Sequence, residues 1–181
     1  NRRDPSHIMT NNDILRRLRY AFDMSEGEMA AIYAHTGTRI PREPVTCWLL
    51  QDQDPAFVPC RDKDMARFLN GLIIDRRGTR EDGPAPETRL TNNAILLKLK
   101  IALNLRTDEV LELLALGGMS LGKSELTAFF RRPDHRHFRR CNDQVLRNFL
   151  TGLQRRLRPA IPQGEKDTPG EDPWASARKK C

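Results

Sequence analysis

The feature that most constrains the fold is an internal duplication. Sliding the sequence against itself by 81 residues aligns residues 10–78 with residues 91–159 without a gap. The matched positions share many identities, including Thr10/Thr91, Asn11/Asn92, Asn12/Asn93, Leu18/Leu99, Gly37/Gly118, Phe57/Phe138, Cys60/Cys141, Asp62/Asp143 and Gly71/Gly152. Self-similarity over this length is typical of one structural unit used twice. We therefore predict two tandem copies of one module, called copy one and copy two below.

Three segments lie outside the copies. Residues 1–9 are expected to be a vector-derived leader that ends at Met9. Residues 79–90 have the glycine and proline content of a linker, and residues 160–181 have the polar composition of a disordered tail. No apolar run reaches the ~20 residues that a membrane-spanning helix needs. No signal-peptide pattern is visible, and we expect a cytoplasmic protein without a membrane partner.

Apolar residues recur at helical spacing four times in each copy. In copy one the four stripes begin at Ile14, Met29, Val45 and Met65, and copy two repeats them at the matched positions. Alternating patterns typical of strands are missing from the sequence, so the predicted fold is all-α, with two tandem four-helix modules. Ser25 and Glu28 have the spacing of a capping box for the second helix, whose partner in copy two Thr107 or Asp108 could cap.

Two pairs of matched residues give further predictions for the fourth helix. Asp62 and Asp143 are expected to cap its N-terminus in the two copies. Cys60 and Cys141 lie two residues before these acids. They are expected to be buried small hydrophobic residues and not to form a disulfide with each other.

Longer stretches of the sequence resemble a known family. The segments TNNDILRRLRYAFDMSEGEM, FVPCRDKDMARFLNGLIIDRRG, LTNNAILLKLKIALNL and KSELTAFFRRPDHRHFRRCNDQVLRNFLTGL are similar to the YehS-like family of duplicated, uncharacterised bacterial cytoplasmic proteins. The resemblance covers residues 9–159. It implies a tandem helical protein and implies no activity, so function has to be argued from individual residues.

Charge is distributed unequally between the copies. Copy one holds ten basic and ten acidic residues, whereas copy two holds thirteen basic and six acidic residues and so carries an excess equal to the net charge of +7. The densest basic stretch is residues 131–140, which contains Arg131, Arg132, Arg136, His137, Arg139 and Arg140. The matched residues 50–59 contain no basic residue, so the fold does not require this cluster. Localised positive charge favours contact with the phosphate backbone of DNA or RNA.

The second and third helices of each copy are also reminiscent of a helix-turn-helix, in which the later helix enters the major groove. The interval from Gly37 to Val45 is about two residues longer than the tight form of that motif. If the docking held, the exposed positions of the third helix would be Arg42 and Thr46 in copy one, and Lys123, Ser124 and Thr127 in copy two.

Other functions fit the residues less well. His135, His137 and Cys141 have zinc-ligand spacing but lack a fourth ligand. The string from Gly117 to Ser124 matches a phosphate-binding loop, but a helical stripe precedes it where that motif needs a strand. We therefore expect a non-enzymatic protein with no metal or cofactor. The main alternative to nucleic-acid binding is a protein–protein adaptor whose basic loop binds an acidic partner, and the sequence does not indicate the oligomeric state.

Overall fold

A computed structural model describes residues 8–38, 40–78 and 87–158 of the chain. The predicted tail and most of the predicted leader and linker lie outside these residues. Within them the structure has eight α-helices and no strand, as the periodicity predicts. The helices are α1 (Asn11–Phe22), α2 (Glu26–Ala34), α3 (Arg42–Leu49), α4 (Asp62–Arg77), α5 (Asn92–Ala102), α6 (Thr107–Leu116), α7 (Lys123–Phe129) and α8 (Asp143–Leu157). Every helix of copy two begins 81 residues after its counterpart in copy one.

The helix caps confirm some predictions and correct others. Ser25 accepts from the Glu28 N–H while Glu28 accepts from the Ser25 N–H, which is the predicted capping box. In copy two the N-cap of α6 is Arg106, one residue before the predicted Thr107. The prediction that Asp62 and Asp143 cap the fourth helix is wrong, because the N-caps are Arg61 and Asn142. The two acids occupy the first helical position, and their carboxylates are used in tertiary contacts.

The two copies pack against each other through reciprocal helix contacts. α1 of copy one packs on α8 of copy two, and α5 of copy two packs on α4 of copy one. Inside each copy the second helix packs on the fourth, and buried residues from both copies form one continuous hydrophobic core. Each copy therefore completes the other's core, an arrangement like that of an isologous dimer.

Polar contacts between the copies also occur at matched positions. Arg17 on α1 donates to Thr151 Oγ1 on α8 at 3.3 Å, and the matched Lys98 on α5 donates to Asn70 Oδ1 on α4 at 2.6 Å. Asp62 accepts the backbone N–H of Leu90 at 3.0 Å, and Asp143 accepts that of Met9 at the same distance. Met9, which the sequence assigns to the leader, thus takes part in the fold.

Glycines allow the second and fourth helices to approach closely in both copies. A Cβ atom added at Gly71 would lie 2.1 Å from the Ile32 carbonyl oxygen, and one added at Gly152 would lie 1.7 Å from the Leu113 carbonyl oxygen. Copy two has a third such point, because a Cβ at Gly117 would lie 1.9 Å from the Asn148 carbonyl oxygen. These separations are far below van der Waals contact, so glycine is required at all three positions.

Both matched cysteines are buried and are not bonded to each other, as predicted. Burial, together with the nearby carboxylate of Asp143, raises the pKa of Cys141 to about 12, and burial raises the pKa of Cys60 further. Both thiols therefore stay protonated at neutral pH, as expected of buried cysteines that serve in packing and not as nucleophiles. Across the described part of the chain, none of the helices has the length and apolar character needed to cross a bilayer.

Candidate nucleic-acid interface

A repeated asparagine holds the loop between the third and fourth helices of each copy. In copy one the Asn12 side chain donates to the carbonyls of Trp48 and Val58, both at 2.9 Å, and accepts the Cys60 N–H at 2.9 Å. Asn93 makes the same three bonds in copy two, with Phe129 O at 2.9 Å, Arg139 O at 2.8 Å and Cys141 N at 3.0 Å. This asparagine clamp explains why the residue recurs.

The preceding residues of the repeated Thr-Asn-Asn unit have separate tasks. Thr10 and Thr91 are the N-caps of α1 and α5. The asparagines themselves are not caps. Asn11 donates to Asp62 at 2.8 Å and Asn92 donates to Asp143 at 2.7 Å. The unit therefore ties the start of the first helix to the loop and to the start of the fourth helix.

The basic loop, residues 131–140, connects α7 to α8 and has an ordered backbone. Backbone N–H groups of His135 and Phe138 donate to the carbonyls of Arg132 and His135 at 2.9 and 2.8 Å. The N–H of Arg139 donates to Ala128 O at 3.1 Å, which brings the end of the loop back along α7. Together with the asparagine clamp, these bonds fix the positions from which the arginine side chains project.

All five arginines predicted to bind nucleic acid are exposed, as is His137. Arg132 pairs with Asp134 at 3.6 Å, and Arg139 lies 3.9 Å from Glu125 on α7. Arg131, Arg136 and Arg140 have no acidic partner among the residues that the structure describes. The loop therefore presents several cations whose charge is not neutralised by neighbouring carboxylates.

The third-helix positions that were predicted to be exposed differ in their actual exposure. Lys123 and Ser124 are exposed at the start of α7, where Lys123 lies 3.4 Å from Asp108, and Thr127 is half-buried. Arg42 is exposed, but the prediction that Thr46 is exposed is wrong. Thr46 is fully buried and donates to Glu26 at 2.7 Å. Its small side chain faces α2, because the apolar stripe of α3 turns that face inward.

The connections before the third helices are long. Residues 35–41 separate α2 from α3, and residues 117–122 separate α6 from α7. A helix-turn-helix uses a turn of about three to four residues. α7 is also short, with seven residues. The loop arginines are therefore a better candidate for nucleic-acid contact than docking of α7 as a recognition helix. α7 lies directly before them in the chain.

The matched loop of copy one is held by an ionic group that copy two lacks. Arg16 on α1 pairs with Asp13 at 2.7 Å and Asp52 at 3.2 Å, and also donates to the Leu50 carbonyl. The residues of copy two that match this ionic group are Leu97, Ala94 and Pro133. An ionic contact in copy one is therefore replaced by an apolar strip in copy two. On the same face of α5, Leu97 and Ile101 are 37% and 43% exposed.

The candidate zinc ligands do not form a common site. His135 and His137 lie near each other, with ring centroids 5.7 Å apart, but both are exposed. Cys141 is buried, and its thiol lies 3.7 Å from the Asn142 carbonyl oxygen. Across residues 8–38, 40–78 and 87–158 no group of three His, Cys, Asp or Glu side chains is arranged to hold a metal ion.

Comparison with known proteins agrees with the repeated architecture. The family described as "Protein of unknown function (DUF1456)" matches the chain twice, over residues 11–78 and 92–158. The chain belongs to this family. One relative is "Uncharacterized protein YehS" of Escherichia coli (strain K12), 41% identical over 150 residues that cover 82% of this chain and 96% of the relative. No solved structure matches the chain. The two DUF1456 matches coincide with the two structural copies.

The asparagine clamp gives a first prediction. Replacing Asn12 with alanine leaves two carbonyls and one N–H without partners in a buried place, so we expect the free energy of unfolding to fall by about 3 kcal/mol. Asn93→Ala should cost less, since its bond to the Arg139 carbonyl is exposed and water can replace it. Urea denaturation followed by circular dichroism measures both. Equal costs, or an Asn12→Ala cost below about 1 kcal/mol, would contradict this account.

Proposed function

We propose that the protein binds nucleic acid, without enzymatic activity, and that the basic loop of copy two makes the main contact with the phosphate backbone. The observation that carries this proposal is the set of exposed arginines on an ordered loop, three of which have no acidic partner among the described residues. Each phosphate that such a loop neutralises releases condensed counterions, which is the main source of backbone affinity.

The surroundings of the loop favour backbone contact over base recognition. Phe138 is the aromatic residue of the loop, and it is half-buried. Single-strand binders stack bases mainly on exposed Phe, Tyr and Trp rings, and Phe138 is the loop's one described residue of these types. The asparagine clamp and the turn bonds also order the loop backbone before a ligand arrives, which lowers the entropy cost of binding. Both points support recognition of DNA or RNA without strong sequence preference.

A second candidate function is a protein–protein adaptor with an acidic partner. The observation that favours it is the apolar strip of Leu97 and Ile101 on α5, at positions where copy one has Arg16 and Tyr20. Exposed apolar side chains beside charged ones are a common feature of protein-binding surfaces. A partner suited to this surface would present acidic residues next to apolar ones.

A salt-titrated binding assay distinguishes these candidates. Fluorescence anisotropy with the unmodified protein would use labelled duplex DNA, RNA and an acidic polypeptide across a range of salt concentrations. Nucleic-acid binding predicts that affinity for DNA or RNA falls linearly with salt on logarithmic axes and persists near physiological salt. Binding to the acidic polypeptide alone would favour the adaptor. Absence of binding to either nucleic acid near physiological salt would overturn the leading proposal.

A further inference from the structure

His135 lies within the basic loop, where two hydrogen-bond donors converge on its imidazole. The His137 backbone N–H donates to Nδ1 at 3.0 Å, and Arg131 Nη1 lies 3.0 Å from Nε2. A neutral imidazole has a single acceptor nitrogen, because the other nitrogen carries the proton. The ring can therefore accept from one of these donors, and the other must find an acceptor elsewhere.

In the matched turn of copy one, a different residue accepts the corresponding backbone N–H. Asp54 is matched to His135, and its carboxylate accepts the Ala56 N–H at 3.0 Å. A carboxylate accepts at both oxygens, whereas an imidazole becomes donor-only when it is protonated. The exchange of Asp54 for His135 therefore replaces a constant acceptor with a group that ceases to accept as the pH falls.

The charged groups around His135 make an external anion the natural acceptor. Arg131 contacts the ring, and Arg132 and Arg136 belong to the same loop. The two nearby carboxylates are engaged, since Asp134 pairs with Arg132 and Glu125 of α7 lies beside Arg139. No carboxylate in the described part of the chain pairs with either imidazole of the loop.

We infer that His135, Arg131 and the backbone N–H and ring of His137 form a proton-linked phosphate site within the basic loop. This inference rests on the proposed function and adds its regulation by pH. When His135 is protonated, the ring no longer accepts, so its own N–H groups and both neighbouring donors require acceptors, and phosphate oxygens supply them. Because the proton and the phosphate bind together, affinity rises as the pH falls.

The test compares binding of a duplex DNA of about 20 base pairs at about pH 5.5 and about pH 8, at constant ionic strength. The unmodified protein should bind about tenfold more tightly at the lower pH, and its salt slope should steepen by up to ~0.9 for each further phosphate that the loop neutralises. A variant with His135→Gln and His137→Gln should lose most of this difference. The control is His35→Gln, which removes a histidine at the C-terminal end of α2 that pairs with Asp75 at 3.4 Å; it should keep the difference.

A second measurement does not depend on DNA. NMR titration of the imidazole proton signals, with and without inorganic pyrophosphate, should show His135 and His137 taking up protons at a higher pH when the anion is present. If the unmodified protein binds neither DNA nor RNA but these signals respond, the proposed function fails and the phosphate site stands. If DNA binds equally at both pH values, or the signals ignore pyrophosphate, the proton-linked site is overturned while nucleic-acid binding can still stand.

Discussion

A variant in which all five loop arginines become alanine is expected to bind nucleic acid about a hundredfold or more weakly near physiological salt. The slope of log affinity against log salt should flatten by up to ~0.9 for each duplex phosphate that the variant no longer neutralises, and the weakening should be similar for different sequences. The replaced residues are Arg131, Arg132, Arg136, Arg139 and Arg140. Folding should survive, because the loop's backbone is held by the Asn93 clamp and by its own turn bonds, neither of which uses an arginine side chain. Anisotropy and thermal melting measure the two effects separately.

The matched control for this variant comes from the structure. The sequence alone suggests Arg16, Arg17 and Arg19 of copy one, because ten acids in that copy offset its bases. These three arginines are structural, however. Arg16 holds the copy-one loop, Arg17 bridges the copies, and Arg19 donates to the Met24 carbonyl at 3.1 Å.

A better control replaces exposed basic residues of copy one whose side chains hold no loop and bridge no copies in the described part of the chain. Arg61, Lys63 and Arg77 are exposed, and we expect their joint replacement by alanine to change affinity several-fold at most.

If the five-arginine variant instead keeps the affinity and salt slope of the unmodified protein, copy two is not the polyanion site. The adaptor function would then become the leading proposal.

Gly152→Ala is expected to produce the largest decrease in stability among single substitutions considered for this protein, about 4 kcal/mol. The added methyl group would lie 1.7 Å from the Leu113 carbonyl oxygen, and neither backbone can move without separating α8 from α6. Because α8 also packs on α1 of the other copy, this separation disturbs both halves of the core. Urea denaturation, monitored by circular dichroism, gives the change in the free energy of unfolding.

Gly122→Ala is the control for this substitution. Gly122 has an ordinary negative φ, and a Cβ there would meet a flexible Glu125 side-chain oxygen at 3.4 Å. The expected cost is about 1 kcal/mol, the usual loss when a favourable N-cap residue is replaced by alanine. Similar costs for Gly122→Ala and Gly152→Ala would mean that the close approach of α6 and α8 is not the reason for the glycine at position 152.

Much of the local structure could be predicted from the sequence, because it depends on nearby residues. The four apolar stripes, the capping box at Ser25 and the burial of Cys60 and Cys141 all follow from spacing and residue type. The cap prediction for Asp62 failed for a related reason. A carboxylate at a helix start serves equally well as a cap or as an acceptor for a distant amide, and only the fold places Asn11 within reach.

The interlocking of the copies could not be predicted in this way. Since the two repeats have nearly the same apolar pattern, α1 has equivalent surfaces available on α4 and on α8. Sequence periodicity shows that the first helix is buried but not which copy buries it. The same limitation applies to Asn12 and Asn93, whose repetition was visible although their partners, tens of residues away, were not.

The reciprocal packing of the two copies has an evolutionary consequence for how a charged loop can arise. In a pair of identical subunits, every substitution appears twice, so a loop that turned basic would do so on both sides and would discard both copies of the Arg16–Asp52 ion pair. When the two halves are fused into one chain, each half can be substituted independently. One half can then keep the ionic contact of Arg16, while the other differs at Leu97, Pro133 and the neighbouring arginines. The tandem arrangement thus permits division of labour between halves that remain structurally equivalent.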